Sequence, residues 1–358
     1  MQTKTAISTE AARLLALLQE AGAQVVETDI LQPADTLLDL YGEDIRARAF
    51  VTHDPLKGEQ MLRPDFTVPV VQMHMHDGAE PARYTYAGKV FRRQESDGGR
   101  ASEYLQVGYE VFDRSNPAAA DAEVFALFSK ILVPLNLHPV TGDIAILRAA
   151  VLGLSTTDRR KSALMRHIWR PKRFRALLER YGGMVKPPHA RTDLLNDPDI
   201  LKSVGKVTGV RSLAEISDRI DALRQDALDP PISGEQVDLL DRILDLKTTS
   251  ADALNRLIEF AKAMPALTAA AQGLSARLDV LDGHGIDVDT LDFIGSYGRT
   301  SMEYYDGFVF GFYAENQPEL PPIATGGRYD ALTQVLGQGR SIPAVGGVIR
   351  PEFYGPKP

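Results

Sequence analysis

Three short segments hold residue types from which a site for a small cationic molecule can be built. LRPDFTVPV carries Arg63, Asp65 and Thr67 at alternate positions, on one face if the segment is extended. The stretch EYLQVGYEVFD alternates apolar Leu105, Val107, Tyr109 and Val111 with a second set that includes Gln106, Gly108 and Glu110. Residues four apart on a strand are separated by about 13 Å, so Gln106 and Glu110 leave room above Gly108 for one amino-acid-sized ligand. Arg92, the pair Tyr304–Tyr305 in MEYYDG, and Gly326, Gly327 and Arg328 in TGGRYD complete the set. Carboxylates at Asp65 and Glu110 favour a ligand with an amine and an imidazolium. The plainer alternative pairs Glu110 with Arg63 or Arg92 in a structural network and makes the two tyrosines core aromatics. Residue by residue that alternative is the more economical one, and only the combination argues against it.

The elements that must position these residues are strands and helices in a particular order. Residues 9–21 place Ala11, Leu14, Leu15 and Leu18 on one helical face, ending near Gly22. AQVVETDIL reads as a strand, followed by a helix from about Ala34. ARYTYAGKVFRRQ and the Glu110 segment form a long antiparallel hairpin closed by SDGGR. A helix starting after Asn116 follows, then VTGDIAIL as a strand. Helical periodicity dominates from about Ala149 to Arg277, and strands return in LDFIGSYGRTSMEYYDGFVFGFYAE and PPIATGGRYD. This order fits an α+β fold, an antiparallel sheet interrupted by a helical insertion. The division expected is 1–148 for the first part of the core, 149–283 for the insertion and 284–358 for the second part.

Bulk properties narrow the field. Cysteine is absent, which excludes disulfides, a thiolate nucleophile and a cysteine zinc site. A formal charge of −8 argues against a large nucleic-acid surface. No apolar run spans a bilayer, and the N-terminus lacks the order of a signal peptide, so a cytoplasmic location is expected. No Walker loop or GxSxG elbow is present. The HMH at 74–76 has too few companions for a metal site, so no metal and no cofactor are expected. The basic run RHIWRPKRFR at 166–175 reads as a solvated helix face or a docking surface for an acidic protein in preference to a nucleic-acid site.

Taken in order, LRPDFT, the hairpin YAGKVFRRQ…GRASEYLQVGYEVFD, EYYDGFVF, ATGGRYD and PAVGG resemble the class II aminoacyl-tRNA synthetase core, specifically that of histidyl-tRNA synthetase. The resemblance implies a histidine pocket lined by Asp65, Thr67, Gln106, Glu110 and Tyr305, with GGRYD in its floor and Arg92 as the kept arginine of the second motif. Tyr304 and Arg328 are candidates for the same pocket.

The departures matter as much. The family's activating arginine falls at Thr300, with Arg299 one residue away and facing the other side of a strand. The arginine that serves ATP in the third motif is replaced by Phe353 after Glu352, with Arg350 off register, and Gln94 and Asp29 also depart from the pattern. Losing one such electrostatic donor typically costs roughly 10²–10³ in rate. The chain stops five residues after Phe353, with no anticodon-binding domain expected. A chain of this kind resembles the regulatory subunits of ATP phosphoribosyltransferase. That resemblance implies no catalytic residues, histidine binding, a homodimer within a hetero-oligomer, and a short-form catalytic subunit as partner in the first step of histidine biosynthesis. Neither tRNA nor membrane is expected as a partner. The alternatives are a synthetase-like enzyme that activates an amino acid with ATP, and a stand-alone amino-acid-binding regulator.

Overall fold

The computed structural model describes residues 3–34, 49–94, 101–202, 209–299, 304–315 and 321–353. The turn SDGGR, Thr300 and the helix expected after Ala34 lie largely or wholly outside them.

The chain opens on helix α1 (Lys4–Glu20), whose Thr3 hydroxyl caps the first turn and whose Ala11, Leu14 and Leu18 are buried. Gly22 at φ +95° turns the chain out of the helix. Strand character in residues 23–31 is limited to β1 (Gln24–Val25) and the first residue of β2 (Leu31–Pro33). β2 joins β3 (Val51–Asp54) and β4 (Gly58–Leu62) in a small separate sheet of order β2-β4-β3. The alternation of Arg63, Asp65 and Thr67 does not continue into a strand. Instead Thr67 opens helix α2 (Thr67–Asp77). Pro69 is compatible with this because a first-turn amide has no helical acceptor to lose.

β5 (Ala82–Phe91) and β6 (Glu103–Phe112) form the expected hairpin, paired from Ala82↔Phe112 to Phe91↔Glu103. Helix α3 (Pro117–Leu132) follows, with the Asn116 side chain accepting from the Ala119 amide. VTGDIAIL divides: β7 is Leu137–Asp143, and IAIL begins helix α4 (Ile144–Leu152) because the Asp143 carboxylate caps the Ala145 amide at 2.9 Å. Helices α5 (Asp158–Arg166), α6 (Pro171–Tyr181), α7 (His189–Asn196), α8 (Leu213–Leu228) and α9 (Gly234–Leu244) come next. The helical stretch also contains strand β8 (Lys247–Thr249), which pairs with β9 (Asp292–Ile294) at the sheet edge. Between these two strands lie α10 (Ser250–Ala263) and α11 (Thr268–Gly283). The remaining elements are β10 (Phe308–Ala314), β11 (Ala324–Arg328), α12 (Asp330–Leu336) and β12 (Ala344–Ile349).

The main sheet has nine strands in the order β1-β5-β6-β12-β11-β10-β7-β9-β8, antiparallel except where β1 meets β5 and β7 meets β9. Helices α1, α3 and α11 lie on one face. Phe125 of α3 packs against Phe308, Phe310 and Phe312, the alternate residues of β10. Helices α2 and α12 cover the other face, over the hairpin and β12.

Candidate functional site

One rung of the sheet organises the site. Tyr84, Glu110, Gly346, Gly327 and Val309 are partners in succession across five strands. Their side chains share the face covered by α2 and α12. Glu110 is 1 % exposed, and among the described residues its carboxylate is held by hydroxyls alone. Thr67 Oγ1 at the start of α2 donates to Oε1 at 3.0 Å, Tyr86 Oη donates to the same oxygen at 2.8 Å, and Tyr329 Oη donates to Oε2 at 2.6 Å. The plainer alternative, pairing with Arg63 or Arg92, is not what the geometry shows: both arginines grip the backbone. Arg63 donates to the carbonyls of Lys89 and Thr28 and stacks on Phe66 at 3.9 Å, and Arg92 donates to the Pro64 carbonyl at 2.8 Å. Together they fix the loop that carries Asp65 and Thr67.

Two glycines are required by this packing. A Cβ at Gly346 would stand 1.5 Å from Glu110 Oε2, and one at Gly327 would stand 2.8 Å from the Tyr305 ring. Gly108 has a different role from the one expected. The space above it is filled, because Tyr86 lies directly opposite and its ring atoms would come within 2.1 Å of a Cβ there. Tyr86 itself is stacked on Phe66 at 4.3 Å. The gap between Gln106 and Glu110 therefore holds a tyrosine whose hydroxyl serves Glu110.

Burial pushes the Glu110 carboxyl up to about 7 against the pull of its three hydroxyl donors, and nearby Asp65 adds to the rise. The Tyr305 phenol, 7 % exposed, is pushed up by burial and by the charges of Glu110 and Asp65. Gln106 is as buried as Glu110, and its Oε1 has no hydrogen-bond partner in the described structure. Asp65 Oδ1 lies 3.5 Å from the Val68 amide, at the outer limit of a hydrogen bond. Tyr304 packs edge-on against both Tyr305 and Tyr329. Arg350, half-buried on the same side, has its pKa lowered by desolvation and by the nearby Arg92 charge.

Seven of the eight residues expected to bind ligand thus gather at one place. Arg328 stands apart. Its neighbours Gly327 and Tyr329 serve the Glu110 face, but its own side chain leaves on the opposite face to meet α3. There it donates to Asp121 at 3.0 Å, to Asp330 at 2.9 Å and to the Pro117 carbonyl at 2.7 Å. Asp121 also receives Arg277 of α11 at 3.2 Å, and Arg277 reaches Asp143 at 2.6 Å. Burial works against the Arg328 charge, but Asp121 and Asp330 outweigh it and raise its pKa.

Arg299 is turned away as well. Its Nε donates to the Ile168 carbonyl at 2.7 Å, its guanidinium lies 4.8 Å over Phe174, and burial lowers it to about 10. The sequence does not single out Tyr86, and it reaches Tyr329 only as part of GGRYD. The signal for Tyr86 was its position across the hairpin from Gly108, and that for Tyr329 its alternation with Arg328. His74 is a core residue, stacked on Phe112 at 3.9 Å and bonded to Tyr84 Oη at 3.0 Å. No group of three His, Asp or Glu poised to hold a metal occurs among the described residues, and none of their helices is long and apolar enough to cross a membrane.

Comparison with known proteins places this geometry. A family model described as histidyl-tRNA synthetase matches residues 2–225 and 200–352. Proteins named ATP phosphoribosyltransferase regulatory subunit, from Brucella anthropi and Agrobacterium fabrum, are 31% and 33% identical to this chain. The matches cover 93% and 92% of this chain and the same shares of those proteins. A solved structure from Bacillus halodurans, described as an ATP phosphoribosyltransferase regulatory subunit/histidyl-tRNA synthetase, aligns over 99% of this chain and 80% of its own, with TM-score 0.69 at 21% identity. A histidyl-tRNA synthetase from Nostoc sp. aligns over 98% of this chain and 70% of its own, with TM-score 0.64 at 16% identity. The fold is therefore that of the class II histidyl-tRNA synthetases, and the chain belongs to the family of ATP phosphoribosyltransferase regulatory subunits.

Proposed function

We propose that this chain is a non-catalytic regulatory subunit that binds histidine in the pocket around Glu110 and conveys its presence to a short-form catalytic ATP phosphoribosyltransferase subunit. The observation that carries the proposal is a buried carboxylate bonded, among the described residues, only to neutral hydroxyls, within electrostatic range of Asp65 and on the same strand face as Gln106, whose Oε1 has no hydrogen-bond partner there. Such a cluster lacks a cation, and an ammonium or imidazolium supplies one. Arg92, whose charge reaches Tyr305, is the candidate partner for the ligand's carboxylate. Loss of aminoacylation belongs to the same proposal. Arg299 is committed to Ile168 and Phe174, and Arg350 donates to the Pro322 carbonyl, so neither stands ready for a triphosphate.

In this reading the chain forms a homodimer through its synthetase-like core, inside a hetero-oligomer in the cytoplasm. Feedback requires histidine to bind the active and inhibited assemblies unequally, since equal binding shifts nothing. The test is to add the purified chain to the short catalytic subunit from the same organism and measure phosphoribosyl transfer with and without histidine. Stimulation by the chain and inhibition by histidine are expected. Unchanged activity, or robust histidine-dependent exchange of pyrophosphate into ATP, would overturn the proposal in favour of a synthetase-like enzyme.

A further inference from the structure

The basic run at 166–175 lies outside the pocket and has its own architecture. Helix α6 carries two stripes. Phe174, Leu178 and Tyr181 are buried in the core, whereas Arg173, Ala176, Leu177 and Arg180, at i, i+3, i+4 and i+7, line a groove of about 390 Å³. The loop Val185–Pro188 forms the opposite wall, and His167 closes one end. The floor is apolar and the rim is cationic.

Other arginines nearby are neutralised within the chain: Arg175 pairs with Glu179 at 2.9 Å and with Asp241, and Arg160 with Asp226 at 2.8 Å. Arg173, Arg180 and Lys186 have no acidic partner among the described residues. His167 adds a buried Nδ1 without a hydrogen-bond partner, and burial together with Arg170, Arg173 and Arg166 disfavours its protonation. On a chain of net charge −8 this concentration of uncompensated positive charge stands out.

The spacing selects the occupant. Arg173 and Arg180 are two turns apart, about 10 Å along the helix, too far for one phosphate or carboxylate to bridge. Three residues of extended chain cover about the same distance. We infer that this groove docks an extended acidic segment of the catalytic partner, its carboxylates meeting Arg173, Arg180 and Lys186 and an apolar side chain resting on Ala176, Leu177 and Val185. The inference rests on the regulatory reading above for the identity of the partner. The docking site is separate from the histidine pocket: its lining includes none of the residues around Glu110, and Arg299 turns toward its side, to Ile168 and Phe174.

The test uses the full chain with the short catalytic subunit, following assembly by sedimentation and histidine binding to the isolated chain by calorimetry. The variants are the charge reversal Arg173→Glu/Arg180→Glu and the steric block Ala176→Trp, all at positions outside the core. Docking in the groove predicts that both variants weaken assembly at least tenfold while histidine affinity stays within twofold of the parent. It also predicts that added salt weakens the parent assembly more than that of the charge reversal. Parent-like assembly of both variants overturns the inference, as does loss in Ala176→Trp without loss in the charge reversal, which leaves an apolar contact with no acidic partner. Displacement of the partner by inorganic phosphate alone would point to a small-anion site and overturn it too. If the parent chain itself fails to assemble, the regulatory reading falls and this inference falls with it.

Discussion

Two buried charge clusters lie back to back on the central sheet, and they are built on opposite principles. On the α3 face, Asp121, Asp143 and Asp330 are matched by Arg277 and Arg328, with a spare donor spent on the Pro117 carbonyl. On the α2 face, Glu110 has three hydroxyls and, among the described residues, no guanidinium. In the first network every carboxylate has a guanidinium partner, and the pairs tie strands β7 and β11 to helices α3 and α11. A carboxylate satisfied only by neutral donors has no positive charge to offset its burial, and burial, with Asp65 adding to it, raises its pKa. The first cluster therefore holds the fold, whereas the second is the one proposed to take a cation. That residues 327, 328 and 329 contribute alternately to the two clusters shows how little sequence separates the two roles.

The sharpest way to break this comparison is at Asp121. Asp121→Ala leaves Arg277 and Arg328 short of a buried partner and is expected to cost about 3–5 kcal/mol in urea unfolding. A cost below about 1 kcal/mol would mean that the network is not structural. Next comes Gly346→Ala. The Cβ cannot coexist with the Glu110 carboxylate at 1.5 Å, so a loss of about 1–3 kcal/mol is expected, together with loss of histidine binding in calorimetry.

Glu110→Gln sharpens the contrast through pH. Below about 4.5, the ordinary glutamate value, the carboxyl is protonated folded or unfolded and its burial is tolerated. As pH rises toward the folded value of about 7 the unfolded chain ionises first, and stability is lost until the folded carboxyl ionises too. The stability of the parent relative to Glu110→Gln should thus fall between pH 5 and pH 8 and then level off. A difference independent of pH would refute the raised pKa. The smallest effect is expected for Thr67→Val, which removes one of three donors at nearly constant shape and should cost about 1 kcal/mol, read from the same unfolding curves.

Much of this site was legible in the sequence because strand alternation is a strong signal. Gln106, Gly108 and Glu110 were assigned to one face of β6, and they occupy it. The vacancy read above Gly108 was an error of register. The hairpin turn is too long to fix which residue stands opposite, and that residue is Tyr86. Arg328 was grouped with its motif when the same alternation that served β6 would have sent it to the far face. The LRPDFT segment misled in another way, since period-two spacing across a helix start places Asp65 and Thr67 by capping geometry and by the grip of Arg63 and Arg92, not by a strand. The pairing of Asp121 with Arg277 joins residues 156 apart in the chain and has no local signature at all.

The central claim is that the pocket around Glu110 binds histidine through its uncompensated carboxylate. Its most direct test is calorimetric titration of L-histidine into the parent chain and into Glu110→Gln at pH 8, where the parent carboxyl is ionised. Saturable binding to the parent, weakened at least tenfold in the variant, is the predicted result. No binding to the parent, or equal binding to both, would contradict the claim.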